Sequence, residues 1–146
     1  MEVAEPPVPG SNHVIVCGYG RIGQSVSRPL EKKAIEMIAL DIDPSIVREA
    51  RLAGQPVFFG DSSEASVLDS AGLASASFMI IAHDDLTAAL RALRNARSLN
   101  PHVPIVVRTR DELHLKELRQ AGTTEVIPET LEAGMPWWSW MCPSSG

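Results

Sequence analysis

The stretch His-Val-Ile-Val-Cys-Gly-Tyr-Gly-Arg-Ile-Gly, residues 13–23, decides how this chain folds. Its first five residues are an apolar run that predicts a buried strand. Gly18, Gly20 and Gly23 follow with G-x-G-x-x-G spacing, and a helical pattern of apolar residues begins within the same stretch. A glycine motif that follows a strand and opens a helix is typical of a turn that binds nucleotide phosphates.

Each of the three glycines has a physical task in such a turn. Gly18 permits the tight turn out of the strand, Gly20 lets a pyrophosphate approach the backbone, and Gly23 lets the helix pack closely on the strand. The helix start presents N–H groups and partial positive charge to the phosphates. Asp41 ends a second apolar run, 18 residues past Gly23, where a carboxylate accepts both hydroxyls of an adenosine ribose. The alternative is a glycine-rich turn that binds no ligand.

Composition restricts the class of protein. A chain of 146 residues with 45% hydrophobic content suits one domain with a real core. The formal net charge of −5 and the absence of a basic run argue against a nucleic-acid partner. No apolar stretch approaches the roughly 20 residues of a membrane span, and no secretory signal is visible, so we expect a soluble chain in a reducing, cytoplasmic setting. Cys17 and Cys142 form no metal pattern, and Cys17 is expected to be a buried, inert thiol.

Strand and helix signals alternate along the chain. Apolar runs predict six strands, at residues 13–17, 37–40, 57–59, 78–82, 105–107 and 125–127. Helical patterns separate them, and Pro29 is expected to kink or shorten the first helix. This alternation predicts an α/β fold, a Rossmann-like doubly wound parallel sheet of strand order 3-2-1-4-5-6 with helices on both faces.

Ligands of such sheets bind beyond the carboxyl ends of the strands, where the strand order reverses. The expected cofactor-binding residues are Gly18, Tyr19, Gly20, Arg21, Ile22, Gly23, Asp41, Ile42, Asp61, Ser62, His83 and Asp84. We expect no metal site and no catalytic residue.

Several of these residues have a second interpretation. Arg21 is either a solvated residue or a partner of the phosphates, and Asp61 either caps the following helix or contacts the ligand. Asp84 and Asp85 suit helix caps as well as ligand contacts. Arg108 and Arg110 pair with nearby acids or face an anionic effector. The apolar stripe within residues 86–99 is covered inside the domain, or part of it packs against a second subunit.

The motifs together carry a family resemblance. Val-Ile-Val-Cys-Gly-Tyr-Gly-Arg-Ile-Gly-Gln, Leu-Asp-Ile-Asp-Pro, Phe-Phe-Gly-Asp-Ser-Ser, Ala-His-Asp-Asp and Arg-Gln-Ala-Gly resemble the RCK domain, also called KTN or TrkA-N. The likeness is greatest to the cytoplasmic RCK domain of Kef-type potassium/proton antiporters, and it covers residues 12–134. Residues 1–11 are interpreted as a linker or cloning remnant. Residues 135–146 are an irregular Trp-rich tail, interpreted as truncated or non-native, or as an apolar dimer contact.

The resemblance implies a function that the residues alone do not. It implies a regulatory domain that binds AMP or NAD(H), forms a homodimer and controls a membrane transport domain for potassium efflux at the cytoplasmic face of the inner membrane. It also implies that Asp41 binds the ribose, that Asp61 lies near the adenine and that Arg119 is associated with a glutathione effector. We therefore expect no enzymatic activity; the alternative is a fragment of an NAD-dependent oxidoreductase.

Overall fold

A computed structural model describes residues 12–83, 85–109 and 114–128 of the chain. Strands and helices alternate within these ranges, as the sequence predicts. The strands are β1 (Val14–Cys17), β2 (Met37–Asp41), β3 (Val57–Phe59), β4 (Phe78–Ile81), β5 (Ile105–Thr109) and β6 (Glu125–Pro128). The helices are α1 (Arg21–Lys32), α2 (Pro44–Leu52), α3 (Ala65–Ser70), α4 (Leu86–Leu99) and α5 (Leu115–Gln120).

The strands form one parallel sheet of order β3-β2-β1-β4-β5-β6, which confirms the predicted topology. β1 pairs with both β2 and β4, so Cys17 lies beside Leu40 on one side and Ile81 on the other. Because the strands are all parallel, the loops that follow β1, β2 and β4 lie at one edge of the sheet, and the strand order reverses between β1 and β4.

Two apolar layers cover the sheet. Val14 and Val16 of β1 belong to the layer formed with α1 and α2. Ile15 and Cys17 point to the other face, where they pack with residues of α3, α4 and α5. This alternation of successive side chains makes every residue of β1 buried, as expected for a parallel strand covered on both faces.

Local signals at the helix ends are mostly confirmed. Asp43 caps α2 by accepting a hydrogen bond from the Ser45 amide, and Pro44 is the first helical residue. Pro29, however, does not end α1, which continues to Lys32. The Pro29 carbonyl still accepts a hydrogen bond from the Lys33 amide, so the proline removes its own N–H without preventing the last turn.

The apolar stripe of α4 is covered within the domain. Its residues Ala89, Ala92, Leu93 and Ala96 are buried, and the leucines beside them are half-buried against the same core layer. The stripe therefore gives no independent support for a second subunit. No helix in the described ranges is both long enough and apolar enough to cross a membrane.

Candidate functional site

The glycine loop joins β1 to α1 in the way that its sequence predicts. Gly18 has a φ of +100°, a left-handed conformation in which a side chain would be strained. Gly20 is the N-cap of α1, and a Cβ added there would meet no atom within 4 Å. A Cβ on Gly23 would overlap the carbonyl oxygen of Gly18. Gly18 and Gly23 are thus required by the fold, whereas the absent side chain of Gly20 leaves open space.

The start of α1 is suited to an anion. No side chain caps the helix, and its first turn carries no acidic residue. Arg21, the first helical residue, is exposed. Backbone N–H groups at such a helix start favour a negatively charged group.

Asp41 connects the glycine loop to the loop after β2. Its Oδ2 atom accepts a hydrogen bond of 2.7 Å from the Tyr19 amide, and its Oδ1 atom accepts one of 2.8 Å from the Asp43 amide. The carboxylate therefore holds two loops in position in addition to its predicted contact with ribose. A carboxylate oxygen has two acceptor sites, so both oxygens retain capacity for ribose hydroxyls.

The loop after β3 is organised by Asp61. The Oδ1 atom of Asp61 accepts hydrogen bonds from the Ser63 amide at 2.9 Å and from the Ser63 hydroxyl at 2.7 Å. Both hydrogen bonds lower the pKa of Asp61, and the one from the hydroxyl has the larger effect. The N-cap of α3 is Glu64, so Asp61 does not cap that helix, and Asp61 is among the residues that line the cleft. Ser62 is buried, and its hydroxyl is hydrogen-bonded to the Cys17 thiol.

The loop after β4 supplies the third wall. His83 is half-buried, and its Nδ1 atom accepts a long hydrogen bond of 3.4 Å from the Asp85 amide. Asp85 caps α4 by accepting a hydrogen bond from the Ala88 amide, which confirms its interpretation as a cap. The predicted site residue Asp84 lies outside the described residues.

These loops enclose one cleft of about 140 Å³ at the carboxyl edge of the sheet. It is lined by Gly18, Leu40, Asp41, Ile42, Gly60, Asp61, Ser62, His83, Asp85 and Ala88. Two larger hollows, of about 360 and 340 Å³, lie beside α1 and share Ser27, Glu31 and Gln55. The smaller cleft is nevertheless the candidate ligand site, because the loops and the carboxylates converge there. In the described part of the chain, no cluster of three metal-ligating side chains occurs.

The predicted site residues Gly20, Arg21, Ile22 and Gly23 are not among the residues that line the cleft, and three further assignments need qualification. The Tyr19 ring is buried towards α1, with its hydroxyl 3.3 Å from the Ser27 hydroxyl, and Tyr19 is not among the residues that line the cleft. Arg119 is exposed on α5 and is not among the residues that line the cleft. Arg108 is 1% exposed, so its guanidinium offers an effector no surface contact.

Sequence reasoning missed one element of the site. Asn95 of α4 donates a hydrogen bond of 2.7 Å from Nδ2 to the carbonyl oxygen of Ser63, in the loop that Asp61 organises. The available signal was an amide side chain three residues after Ala92, at the border of the buried face of α4.

Comparison with known proteins agrees with this geometry. A 55% identical relative, over 84% of this chain and 19% of its own length, is assigned as the K(+) efflux antiporter KefB of Alkalimonas amylolytica. The glutathione-regulated potassium-efflux system protein KefC of Cronobacter sakazakii is 38% identical over 84% of this chain and 20% of its own length. The chain thus spans about a fifth of the length of these relatives.

A solved structure and a family model complete the comparison. The Kef C-terminal domain of Shewanella denitrificans in its AMP-bound form superimposes with a TM-score of 0.72 at 33% identity, covering 84% of this chain and 73% of that one. The model of the TrkA-N domain matches residues 14–129. This chain therefore belongs to the TrkA-N (RCK) domain family.

Proposed function

We propose that this chain is a regulatory domain that binds an adenine nucleotide, AMP or NAD(H), and thereby controls a potassium efflux antiporter. The observation that carries the proposal is the position of Asp41, whose carboxylate joins the glycine loop to the tip of β2 and lines the cleft. The AMP-bound form of the related Kef domain supports an adenine nucleotide as the ligand.

We propose a position for each part of the nucleotide along these loops. Phosphates lie above Gly20 at the start of α1, beside Arg21. The ribose lies at Asp41, where the carboxylate accepts its two hydroxyls. The base then lies farther out, beyond β2, against Ile42 and the β3 loop that carries Asp61.

The regulatory part of the proposal extends to partners. In the longer relatives this domain is about a fifth of the protein, so we propose that it acts on a membrane transport domain from the cytoplasmic face of the inner membrane. We further propose a homodimer as the working assembly. Glutathione is the proposed effector, since one relative is named as glutathione-regulated, and Arg119 on the surface of α5 is its proposed contact.

The ribose contact is tested by comparing ligands that differ at the 2′ position. We expect AMP and NADH to bind and NADPH to bind more weakly, because the carboxylate of Asp41 repels a 2′-phosphate. Asp41→Ala should weaken AMP binding by roughly 1–3 kcal/mol, the scale for a lost charged hydrogen bond. Isothermal titration calorimetry measures both effects. Equal or tighter binding of NADPH would contradict the proposal.

Two controls sharpen that experiment. Asp41 also holds two backbone amides, so thermal unfolding without ligand must show how much of the Asp41→Ala effect is lost loop structure. The same protein tests the alternative of an oxidoreductase fragment: we expect no NADH oxidation with small carbonyl substrates. Steady turnover above a buffer control would favour the enzyme.

A further inference from the structure

We propose that Asn95 of α4 is a positioning residue that sets the base preference of the cleft through Ser63 and Asp61. The inference rests on the proposed nucleotide-binding function and adds a residue that touches no ligand itself. Asn95 donates from Nδ2 to the Ser63 carbonyl at 2.7 Å, across 32 positions of sequence. The bond connects a core helix of 14 residues to the loop that carries Asp61.

Ser63 passes this constraint to the carboxylate. It is 2% exposed, so its main chain lies in the interior, and both its amide and its hydroxyl donate to the same oxygen, Oδ1 of Asp61. Within the described part of the chain, the other oxygen, Oδ2, receives no hydrogen bond. The network thus fixes the carboxylate by one oxygen and leaves the second with acceptor capacity, on a residue that lines the cleft.

An acceptor at this place discriminates between purine bases. An ionised carboxylate only accepts hydrogen bonds, and the hydrogen bonds from Ser63 favour the ionised form of Asp61. The 6-amino group of adenine donates to such an oxygen, whereas the 6-oxo group of hypoxanthine is itself an acceptor and is repelled. The preference depends on where Oδ2 points, which is the quantity that Asn95 controls.

Asn95 is well placed for this task because its own position is rigid. Its neighbours on the helix, Ala92 and Ala96, are fully buried against the core, so the amide has a fixed origin. Loss of that donor would leave the Ser63 carbonyl unsatisfied in a buried place, and the loop would shift to find a partner. A site held through such supporting contacts loses selectivity when they are removed, even though its contact residues remain.

The test compares AMP with IMP by isothermal titration calorimetry on wild type and Asn95→Leu, a variant of similar size without a donor. The wild type should prefer AMP. In Asn95→Leu the dissociation constant of IMP divided by that of AMP should fall roughly threefold to tenfold, the range for one hydrogen bond. AMP affinity should account for most of that fall.

Asn100→Leu is the matched control. Asn100 lies at the end of the same helix and donates from Nδ2 to the Leu73 carbonyl at 3.0 Å, away from the cleft. The loss of this hydrogen bond should lower thermal stability and leave the ratio of the IMP to the AMP dissociation constant unchanged. An unchanged ratio in Asn95→Leu, or an equal fall in both variants, would overturn the inference.

Ser63→Ala cuts the same network at its next link and serves if Asn95→Leu does not fold. It removes one of the two hydrogen bonds to Asp61, so the ratio should fall in the same direction. The double variant should show less than the product of the two effects, because both act through one carboxylate. A wild-type ratio in Ser63→Ala would overturn the inference, whereas a wild type that binds no AMP would overturn the proposed function itself.

Discussion

At the scale of single residues, Gly20 and Gly23 lie three positions apart, but an added side chain meets different surroundings at each. Gly23→Ala should lower the free energy of unfolding by roughly 1–3 kcal/mol or more, because the new methyl group overlaps the Gly18 carbonyl. Gly20→Val should change stability by no more than about 1 kcal/mol, since its φ of −78° suits any residue and the space is open.

Ligand binding should show the opposite pattern, with the direct effect at Gly20. Gly20→Val fills the space where phosphates approach the backbone, so calorimetry should show loss of AMP binding by a folded protein. Thermal denaturation and AMP titration of both variants check the pair. A Gly20→Val protein that binds AMP with wild-type affinity would show that the glycine loop is not the phosphate site.

Cys17 gives the stability of this protein a dependence on alkaline pH. Burial raises the pKa of its thiol from 9.0 to about 12, and the hydrogen bond with Ser62 only partly opposes this. Between these values the unfolded chain loses the thiol proton and the folded chain keeps it. Unfolding is therefore favoured as pH rises, by up to about 1.4 kcal/mol per pH unit from this group.

Urea denaturation of wild type and Cys17→Ala at pH 8, 9, 10 and 11 measures that contribution. The variant should be less stable at pH 8, because it leaves a space in the core, but its stability should fall less steeply above pH 9. Other groups titrate in the same range in both proteins, so the difference between the two slopes is the informative quantity. Identical slopes would contradict a buried neutral thiol.

At the scale of secondary-structure elements, Arg97 connects the last turn of α4 to the segments that precede β5 and β6. Its guanidinium donates to the Gly122 carbonyl at 2.9 Å, to the Val103 carbonyl at 2.6 Å and to the Thr124 hydroxyl at 3.3 Å. Partial burial lowers the pKa of Arg97, which nevertheless remains a cation at neutral pH. One side chain thus satisfies acceptors before β5, after α5 and before β6.

Arg97→Ala should therefore lower the free energy of unfolding by roughly 2–4 kcal/mol, since it leaves several carbonyl groups without their charged donor. Arg97→Lys should restore only part of this, because an ammonium group lacks the planar fork that reaches divergent acceptors. Arg94→Ala, on the exposed face of the same helix, is the control and should change stability by less than about 0.5 kcal/mol. Equal effects of Arg97→Ala and Arg94→Ala would exclude the connecting role.

The elements show what a sequence can and cannot predict. Strand positions and the caps Asp43 and Asp85 follow from local patterns, and the structure confirms them. Pro29, predicted to kink or shorten α1, lies inside the helix, because one missing N–H near the end of a helix does not stop its last turn. The sequence predicts a fifth helix from Asp111 to about Ala121; Asp111 lies outside the described residues, and the described helix α5 is Leu115–Gln120.

At the scale of the whole molecule, the predicted site rests on topology. Gly18, Asp41, Asp61 and His83 lie at the ends of different strands, and in the structure they line one cleft at the edge of the sheet where the rule for such folds predicts a ligand. The contact between Asn95 and Ser63 could not be predicted, since it depends on how α4 packs against the β3 loop. Local patterns specify strand ends, whereas packing specifies which side chains reach across them.

The burial of the apolar stripe of α4 bears on self-association. Residues Ala89, Ala92, Leu93 and Ala96 face the core of their own chain, and the exposed positions of α4, such as Thr87, are polar or charged. A second subunit would gain little apolar contact on this face, because stable homodimer interfaces are largely apolar. We therefore expect a dimer that does not use the exposed face of α4.

Sedimentation equilibrium at micromolar concentration tests this expectation. The wild type should sediment as a dimer, and Thr87→Glu, which adds a charge to the exposed face of α4, should leave the mass unchanged. A halved mass in Thr87→Glu would place the interface on α4 and contradict the burial argument. A wild type that stays monomeric with added AMP, NADH and glutathione would instead contradict the proposed homodimer. The first result concerns which surface forms the dimer, and the second concerns whether a dimer forms at all. The ligands are added because a ligand can shift an association equilibrium only by binding one state more tightly than the other.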